Sequence, residues 1–196
     1  MKAISEAMSE SYRCFIAVDL EDEGIIERVK SFQEALARTG NPMKIVEPEN
    51  LHFTLKFLGD VPVARIESIE EALSSLSFKP FDLEVKGVGY FPGGGRVNVV
   101  WVGVGRGLDE LKDIYDGIEA RLSSLGFARD PRGFAAHLTV SRVKSVYDRA
   151  KLLKLIDEWR DYRFGEYRVD KVKLKRSILT PRGPIYSDIR VVESSR

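Results

Sequence analysis

The chain has 196 residues, of which 43% are hydrophobic and 31% are charged, so it contains enough apolar material for a folded core. Its 31 Lys and Arg residues nearly balance its 30 Asp and Glu residues, which argues against a protein that grips a long nucleic-acid duplex. The single cysteine, Cys14, excludes an internal disulfide and fits a reducing compartment. With no secretory signal and no apolar run of about 18 residues, we expect a cytoplasmic protein without a membrane span.

The N-terminal residues are polar and show no period, so we expect a flexible extension over residues 1–11 and one domain over residues 12–196. The domain opens with CFIAVDL, whose β-branched and aromatic residues predict a buried strand. Apolar residues then recur at spacings of three and four, which predicts an amphipathic helix. They are Ile25, Val29, Phe32 and Leu36.

The next three segments continue this alternation. LHFTLKFLG predicts a strand, the apolar residues between Val63 and Leu76 predict a second helix, and FDLEVKGVGYFP predicts another strand. The second half begins again with a strand, VNVVWVGV, followed by a third helix over residues 108–122. FAAHLTVSRV is strand-like, Asp148 is a candidate N-cap for a fourth helix, and YRVDKVKLKRSILTP and IYSDIRVVE predict the last strands.

The order strand, helix, strand, helix, strand therefore occurs twice. An offset of 85 residues relates His52 to His137 and Phe15 to Val100, which favours a duplicated fold with two similar lobes. Strands that alternate with helices are also typical of a parallel α/β sheet. The pattern leaves the strand direction open.

Both histidines of the chain are followed two residues later by threonine, in HFTL and HLTV. Alternation along a strand predicts that His52, Thr54 and Lys56 share one face, while Phe53, Leu55 and Phe57 face the core. By the same rule His137, Thr139 and Ser141 share a face, opposite Leu138 and Val140. A pseudo-two-fold axis would bring the two pairs together across a cleft.

Two imidazoles suit paired proton transfer, because near neutral pH one can accept a proton while the other donates one. The hydroxyl groups can hydrogen-bond to phosphoryl oxygens, and Lys56 or Arg142 can supply positive charge. In-line displacement at phosphorus places the attacking and leaving oxygens on opposite sides, which matches two symmetric proton-transfer groups. Two distant histidines and one cysteine supply no convincing set of about three zinc ligands, so we expect no metal and no cofactor.

The chain also resembles a known family over nearly its whole length. Four segments are similar to successive segments of the two-histidine phosphoesterases: FIAVDL, EPENLHFTLKFLG, FPGGGRVNVVWVGV and SILTPRGPIY. The closest likeness is to their RNA 2′,3′-cyclic phosphodiesterase branch, historically called 2′-5′ RNA ligases. Ala136 departs from the branch, which usually has proline before the second histidine. The resemblance implies an α+β fold with a duplicated β-α-β-α-β unit, two antiparallel-sheet lobes, outer helices and a central cleft.

The resemblance also implies roles for individual residues. His52 is the expected proton donor to the leaving ribose oxygen, and His137 is the expected acceptor that activates water. Thr54 and Thr139 are expected to hold the phosphate. Arg142 matches a recurrent arginine of the branch, although simple alternation places it opposite His137 unless the strand ends or bulges there.

The implied substrate is an RNA terminus with a 2′,3′-cyclic phosphate, as on tRNA fragments, which the protein opens to a 2′-phosphate. We expect a monomer that does not associate with a membrane. Two alternatives stay open. The same site can run the reverse chemistry and join RNA ends through a 2′-5′ linkage, or the chain can bind RNA ends without turnover. The alternating Lys171, Lys173 and Lys175 indicate either a phosphate-tracking stripe or a solvated or protected edge.

Overall fold

A computed structural model describes residues 10–131, 133–181 and 183–195. Residues 1–9, which make up most of the predicted extension, lie outside the described residues, and β1 begins at Ser11. No helix in the described ranges is long and apolar enough to cross a membrane.

The helices and strands follow the predicted order, with two differences. One short strand was not indicated by the sequence pattern, and the run predicted as strand from Tyr167 is divided at Asp170 into two strands. The helices and strands are β1 (Ser11–Asp19), α1 (Glu23–Ala37), β2 (Met43–Ile45), β3 (His52–Pro62), α2 (Ile66–Ser74), β4 (Phe81–Gly93), β5 (Arg96–Val104), α3 (Leu108–Ser123), β6 (Leu138–Val143), α4 (Arg149–Glu158), β7 (Arg163–Val169), β8 (Lys171–Thr180) and β9 (Gly183–Glu193). The unpredicted strand is β2, whose three residues are too few to show a period. β6 begins only at Leu138, so His137 lies just before the strand.

All strand pairs are antiparallel, which excludes the parallel alternative and confirms the predicted α+β class. The strand order is β7-β4-β5-β6-β3-β1-β8-β9, with β2 paired to β6. β3 and β6 meet at the pair Phe53 and Leu138, and four strands lie on each side of this junction counting β3 and β6 themselves. The junction therefore separates two lobes, one with His52 and one with His137.

The helices lie on the face of the sheet opposite the histidines and complete the core. In α1 the side chain of Asp22 accepts a hydrogen bond from the Ile25 amide, which caps the helix and starts its apolar stripe. Gln33 of α1 then donates to the carbonyl of Val140 in β6. α1 thus follows β1 of the His52 lobe but packs on the His137 lobe, while α3 contacts β3 of the His52 lobe. This exchange interlocks the lobes.

β3 and β6 each contain a bulge at equivalent positions. Along β1 and β3, Ala17 pairs with Thr54 but Ile16 pairs with Lys56, so Leu55 is the extra residue. The register between β5 and β6 skips Val140 in the same way. Each bulge shifts the alternation of side chains by one residue, and this shift decides which residues beyond the threonines face the site.

The register also corrects one landmark of the sequence repeat. Phe53 pairs with Val18, and its counterpart Leu138 pairs with Val102, so the offset between β1 and β5 is 84 rather than 85 residues. Phe15 therefore corresponds to Val99 and not to Val100. Val100 belongs to the core, whereas the ring of Phe15 contacts a histidine.

Candidate active site

The two His-x-Thr segments meet at the junction between the lobes. Phe53 and Leu138 are fully buried and paired with each other. Because neighbouring residues on a strand point to opposite faces, the residues on either side of this pair point away from the core. Since the strands are antiparallel, His52 lies on the side of Thr139, and Thr54 lies on the side of His137. The structure thus brings all four predicted residues together around one residue pair.

The imidazole of His52 is held in a defined orientation. Its Nδ1 lies 2.8 Å from the carbonyl oxygen of Asn50, which ends a 3₁₀ turn directly before β3. The ring also packs against two aromatic rings that contact each other, with centroid distances of 5.0 Å to Phe15 and 5.3 Å to Tyr186. Because a carbonyl oxygen only accepts hydrogen bonds, Nδ1 carries the proton in the neutral ring, and Nε2 is left for proton exchange.

His137 repeats this arrangement in the other lobe. Its Nδ1 lies 2.7 Å from the carbonyl oxygen of Ala135, again two residues earlier, and its ring meets Phe91 edge to face at 5.1 Å. This contact with Ala135 forms although position 136 is alanine and not proline. The backbone carbonyl therefore orients the ring without the proline that is usual in the related branch. Both histidines present Nε2 as the reactive atom.

Two threonine hydroxyl groups lie beside the imidazoles. Thr54 and Thr139 are half-buried. Within the part of the chain that the structure describes, neither hydroxyl makes a hydrogen bond to another protein group. A hydroxyl in this position can donate to a ligand, and two of them beside two imidazoles suit the non-bridging oxygens of a phosphate.

Charged groups distinguish His52 from His137. Burial lowers the pKa of His52, the hydrogen bond to Asn50 and the charge of Asp19 raise it in part, and the positive charges of Lys175 and His137 lower it further. Asp19 lies opposite His52 in the register of β1 and β3. Burial alone would raise the pKa of Asp19, but hydrogen bonds from Lys175 and Lys173 outweigh burial and lower it.

Arg142 lies on the same face as the histidines because of the bulge at Val140. After the bulge Ser141 is buried, so its predicted place beside His137 and Thr139 is wrong. The exposed Arg142 follows Thr139 toward the site instead. Its positive charge, together with that of Arg13, counteracts the burial that raises the pKa of Tyr186, the ring beside His52. Sequence analysis allowed Arg142 to reach the site only if β6 ends or bulges before it, and the structure has such a bulge at Val140.

Lys56 does not lie where alternation predicted it. The bulge at Leu55 turns Lys56 to the helix side, where its Nζ lies 2.7 Å from Glu119 of α3 and 2.8 Å from the carbonyl oxygen of Ala128. Only 6% of Lys56 is exposed. Its ammonium group is paired in the core, and the predicted placement beside His52 is wrong.

The lysine stripe of β8 is also not an exposed edge. β8 lies between β1 and β9, and Lys175 is buried with its Nζ 2.5 Å from Asp19 and 3.0 Å from Asp188. Lys173 lies 2.9 Å from Asp19 and 2.6 Å from Glu21. These lysines neutralise carboxylates beside His52 and are not free to track a phosphate chain.

Sequence analysis missed several residues near the histidines. Phe57 was predicted to face the core, and that prediction is wrong: it takes the place that alternation gave to Lys56, and its ring is 69% exposed on the histidine face, 6.3 Å from Phe15. Asp19 ends an apolar strand, and a single polar residue at that place was the only sequence feature that pointed to a role for it. Tyr186 reaches His52 from β9, and nothing local in the sequence indicates that long-range contact.

A metal site requires about three ligand side chains close together. Across residues 10–131, 133–181 and 183–195, no three His, Cys, Asp or Glu side chains lie close enough together to hold a metal ion. Cys14 is buried, and burial raises the pKa of its thiol to about 11. The groups available for chemistry at the junction are therefore imidazoles, hydroxyls and a guanidinium.

Two imidazoles and two hydroxyls at the junction of a duplicated antiparallel sheet define a phosphoesterase site. Comparison with known families agrees with this class and with the duplication. The model of the family described as LigT-like phosphoesterase matches the chain twice, over residues 18–101 and 102–186. The chain belongs to the LigT-like phosphoesterase family.

Curated relatives carry one common name. A protein of Archaeoglobus fulgidus named RNA 2′,3′-cyclic phosphodiesterase is 44% identical over 181 residues, which cover 92% of this chain and 99% of that protein. A protein of Methanothermobacter thermautotrophicus with the same name is 42% identical over 91% of this chain and 97% of its own length.

Solved structures show the same fold. A protein of Thermus thermophilus superposes with a TM-score of 0.76 at 27% identity, covering 92% of this chain and 97% of that one. E. coli LigT in complex with 3′-AMP superposes with a TM-score of 0.75 at 20% identity, covering 96% of this chain and 100% of that chain. The second likeness concerns the fold alone.

Proposed function

We propose that this protein hydrolyses the 2′,3′-cyclic phosphate at an RNA terminus to a 2′-phosphomonoester. The observation that carries the proposal is the site itself: two oriented imidazoles with Nε2 available, and two unpaired hydroxyls, around the Phe53–Leu138 pair. The relatives named RNA 2′,3′-cyclic phosphodiesterase support the choice of substrate.

The proposed reaction uses one histidine on each side of phosphorus. Nε2 of His137 removes a proton from water, and the water oxygen forms a bond to phosphorus. The bond from phosphorus to the ribose 3′-oxygen breaks in line, and Nε2 of His52 donates a proton to that oxygen. Thr54 and Thr139 donate hydrogen bonds to the non-bridging oxygens, where negative charge increases in the transition state.

The lowered pKa of His52 has two consequences for a proton donor. In the free protein the protonated form is scarcer at neutral pH than in an exposed histidine, because burial penalises its charge. A bound phosphodiester brings a negative charge to the ring and raises its pKa again. A donor with a low pKa also gives up its proton readily once the 3′-oxygen needs it.

The proposal extends to the form of the protein and to its substrates. Both histidines come from one chain, so a single copy contains a complete site, and we propose a monomer. RNA ends produced by cleavage next to a 2′-hydroxyl carry the required cyclic phosphate, and tRNA fragments of this kind are among the proposed substrates.

The direct test incubates an oligoribonucleotide that ends in a 2′,3′-cyclic phosphate with the protein, in the presence of a strong chelator. We expect a 2′-phosphate as the product, identified by ³¹P NMR. A product joined to an added 5′-hydroxyl RNA would indicate ligation instead. Binding without any product would contradict the proposal and leave an RNA-end binding protein.

The roles of the histidines are tested with a substrate whose 3′-oxygen is replaced by a better leaving group. Such a substrate needs little help from an acid, so it should rescue His52→Ala much more than His137→Ala. Rescue of His137→Ala alone would reverse the two roles. The double variant should lose little beyond the worse single variant, because groups that act together are not additive.

A further inference from the structure

A groove with only neutral and cationic walls lies beyond the end of β6. It has a volume of about 450 Å³, within the range of about 300–1,000 Å³ that is usual for ligand sites. One wall is the tip of the β4–β5 hairpin and the other is the segment that leads into α4. Ten described residues line it, three of them cationic and none acidic, and the cations are Arg96, Lys144 and Arg149.

The three cations of this groove are not paired with acidic groups. In the described ranges no carboxylate lies within ion-pair distance of Arg96, Lys144 or Arg149, and all three side chains are exposed. Lys173 and Lys175, by contrast, are tied to Asp19 and Asp188. The groove therefore presents three positive charges that form no ion pair with the described residues and can bind an anionic ligand.

Glycine at the hairpin tip keeps the groove narrow on one side. The guanidinium of Arg149 lies directly against Gly95, where a side chain would have no space. Gly95 also has a positive φ of 78°, which other residues rarely adopt. The hairpin tip and the start of α4 thus stay close together, and a guanidinium bridges them.

The groove lies further along the chain from the active site, beyond the end of β6. Lys144 directly follows β6, two residues after Arg142. At about 3.3 Å per residue, Lys144 lies on the order of 15 Å from Thr139. That distance is too long for a mononucleotide held at the histidines, but a chain of a few nucleotides spans it.

The positions in the other lobe that correspond to the three cations are not charged. The 85-residue offset relates Lys144 to Gly59 and Arg149 to Ala64, and the 84-residue offset of β1 and β5 relates Arg96 to Tyr12. None of these counterparts is a cation. Because the backbone is duplicated but the charges are not, the three cations are not a requirement of the fold.

From these observations we infer that the groove binds the phosphodiester backbone of single-stranded RNA upstream of the cyclic end. The inference rests on the proposed function, since it assumes that the RNA end lies at the histidines. The upstream chain leaves the site past Arg142 and crosses the lobe of His137. Its phosphates contact Arg96, Lys144 and Arg149, which hold it without reading the bases.

The test compares two charge-matched triple variants. The groove variant carries Arg96→Gln, Lys144→Gln and Arg149→Gln, and the control variant carries Lys79→Gln, Lys86→Gln and Lys154→Gln, which are exposed lysines outside the groove. Each protein is assayed with a decanucleotide and with a mononucleoside, both ending in a 2′,3′-cyclic phosphate. The ratio of the two kcat/KM values reports on the upstream chain alone.

We expect the groove variant to lower this ratio at least tenfold, while the control keeps the ratio of the native protein. Binding of a fluorescent RNA that ends in a 2′-phosphate should also lose salt dependence. For three phosphate contacts on a single strand, the slope of log K against log salt should fall by about two. Unchanged ratio and slope would overturn the inference and leave the proposed function intact.

Two further readouts keep the outcomes separate. If the native protein hydrolyses neither substrate, the proposed function fails, and the binding slope still decides whether the groove holds RNA. Because Arg149 contacts the hairpin tip, the double variant Arg96→Gln, Lys144→Gln is measured beside the triple variant. A slope that falls in the triple variant but not in the double variant would overturn the role of Arg96 and Lys144.

Discussion

At the scale of single residues, the two histidines have the same backbone contacts but different charged neighbours. Asp19 lies opposite His52, and the 84-residue offset makes Gly103 its counterpart in the other lobe. Asp19 is itself bound by the ammonium groups of Lys173 and Lys175. The charge of a carboxylate within a buried ionic cluster therefore raises the pKa of His52.

Replacing Asp19 by asparagine should lower the pKa of His52 further. The negative charge of Asp19 raises that pKa, so its removal leaves burial and the charges of Lys175 and His137 to act together. Above its pKa, the protonated fraction of His52 falls about tenfold for each unit of decrease. If His52 is the donor, kcat/KM at pH 7 must fall with it. NMR titration of the histidine and the pH profile of kcat/KM measure both effects.

Asp188→Asn is the matched control for this change. Asp188 is also paired with Lys175, but its charge is not among the leading influences on His52. This change should therefore lower the pKa of His52 less than Asp19→Asn does. A lower pKa in Asp19→Asn with unchanged or higher kcat/KM at pH 7 would show that His52 accepts the proton rather than donating it.

Each threonine hydroxyl should contribute to the transition state more than to folding. Thr54→Val and Thr139→Val keep the shape of the side chain but remove a donor that no protein group in the described ranges uses, so the fold should tolerate them. Loss of one such donor typically lowers kcat about 10²–10³-fold. Serine at either position should retain more activity than valine. Equal kcat values for the serine and valine variants would exclude contact of the hydroxyl with the phosphate.

At the scale of strands and helices, the bulges explain where sequence analysis succeeded and where it failed. Helix positions and the direction of the histidine face followed from apolar periods that the structure keeps. Lys56 was misplaced because a bulge at Leu55 cannot be read from a regular alternation. The equivalent bulge at Val140 turns Arg142 toward the histidine face, which simple alternation did not predict. Tyr186 and the ionic cluster of Asp19 depend on pairing between distant strands, which no local pattern records.

The buried pair of Lys56 and Glu119 should support the fold and not the chemistry. Its atoms lie 2.7 Å apart between β3 and α3, and both side chains are almost fully buried. Removing one partner leaves an uncompensated charge in the core, so Lys56→Met should lower the free energy of unfolding by about 3–5 kcal/mol. Chemical denaturation measures this loss, and kcat per folded molecule should stay near the native value.

A second change distinguishes pairing from packing at this position. Replacing both partners, with Lys56→Met and Glu119→Leu, removes both charges and should restore most of the stability. A double variant as unstable as Lys56→Met would mean that the ion pair is not the reason for the loss. A fall in kcat that exceeds the loss of folded protein would return Lys56 to the list of substrate contacts.

At the scale of the whole molecule, the backbone is nearly symmetric while the side chains around the site are not. The strand order reads as the same arrangement from either side of the β3–β6 junction. Phe57 follows the bulge of β3 where Arg142 follows the bulge of β6. One flank of the site is thus an exposed aromatic ring and the other a guanidinium, and the basic groove lies beyond the second flank, past the end of β6.

This asymmetry should fix the direction in which the cyclic phosphate binds. A base stacked on Phe57 gains about 1–3 kcal/mol, and the backbone is drawn toward the cationic flank, so only the 3′-oxygen faces His52. The native protein should therefore release one isomer, the 2′-phosphate. Phe57→Arg makes both flanks cationic and should release some 3′-phosphate at a lower rate. Because Phe57 is 69% exposed, this change should not disturb the core.

The isomer ratio is measured by ³¹P NMR of the products of a mononucleoside 2′,3′-cyclic phosphate, which cannot reach the groove. Phe57→Tyr keeps an aromatic surface and is the control that should still give a single isomer. If Phe57→Arg releases only the 2′-phosphate at the native rate, the ring does not orient the substrate. The unequal surroundings of the two histidines would then be the remaining source of direction, because Asp19 has no counterpart beside His137.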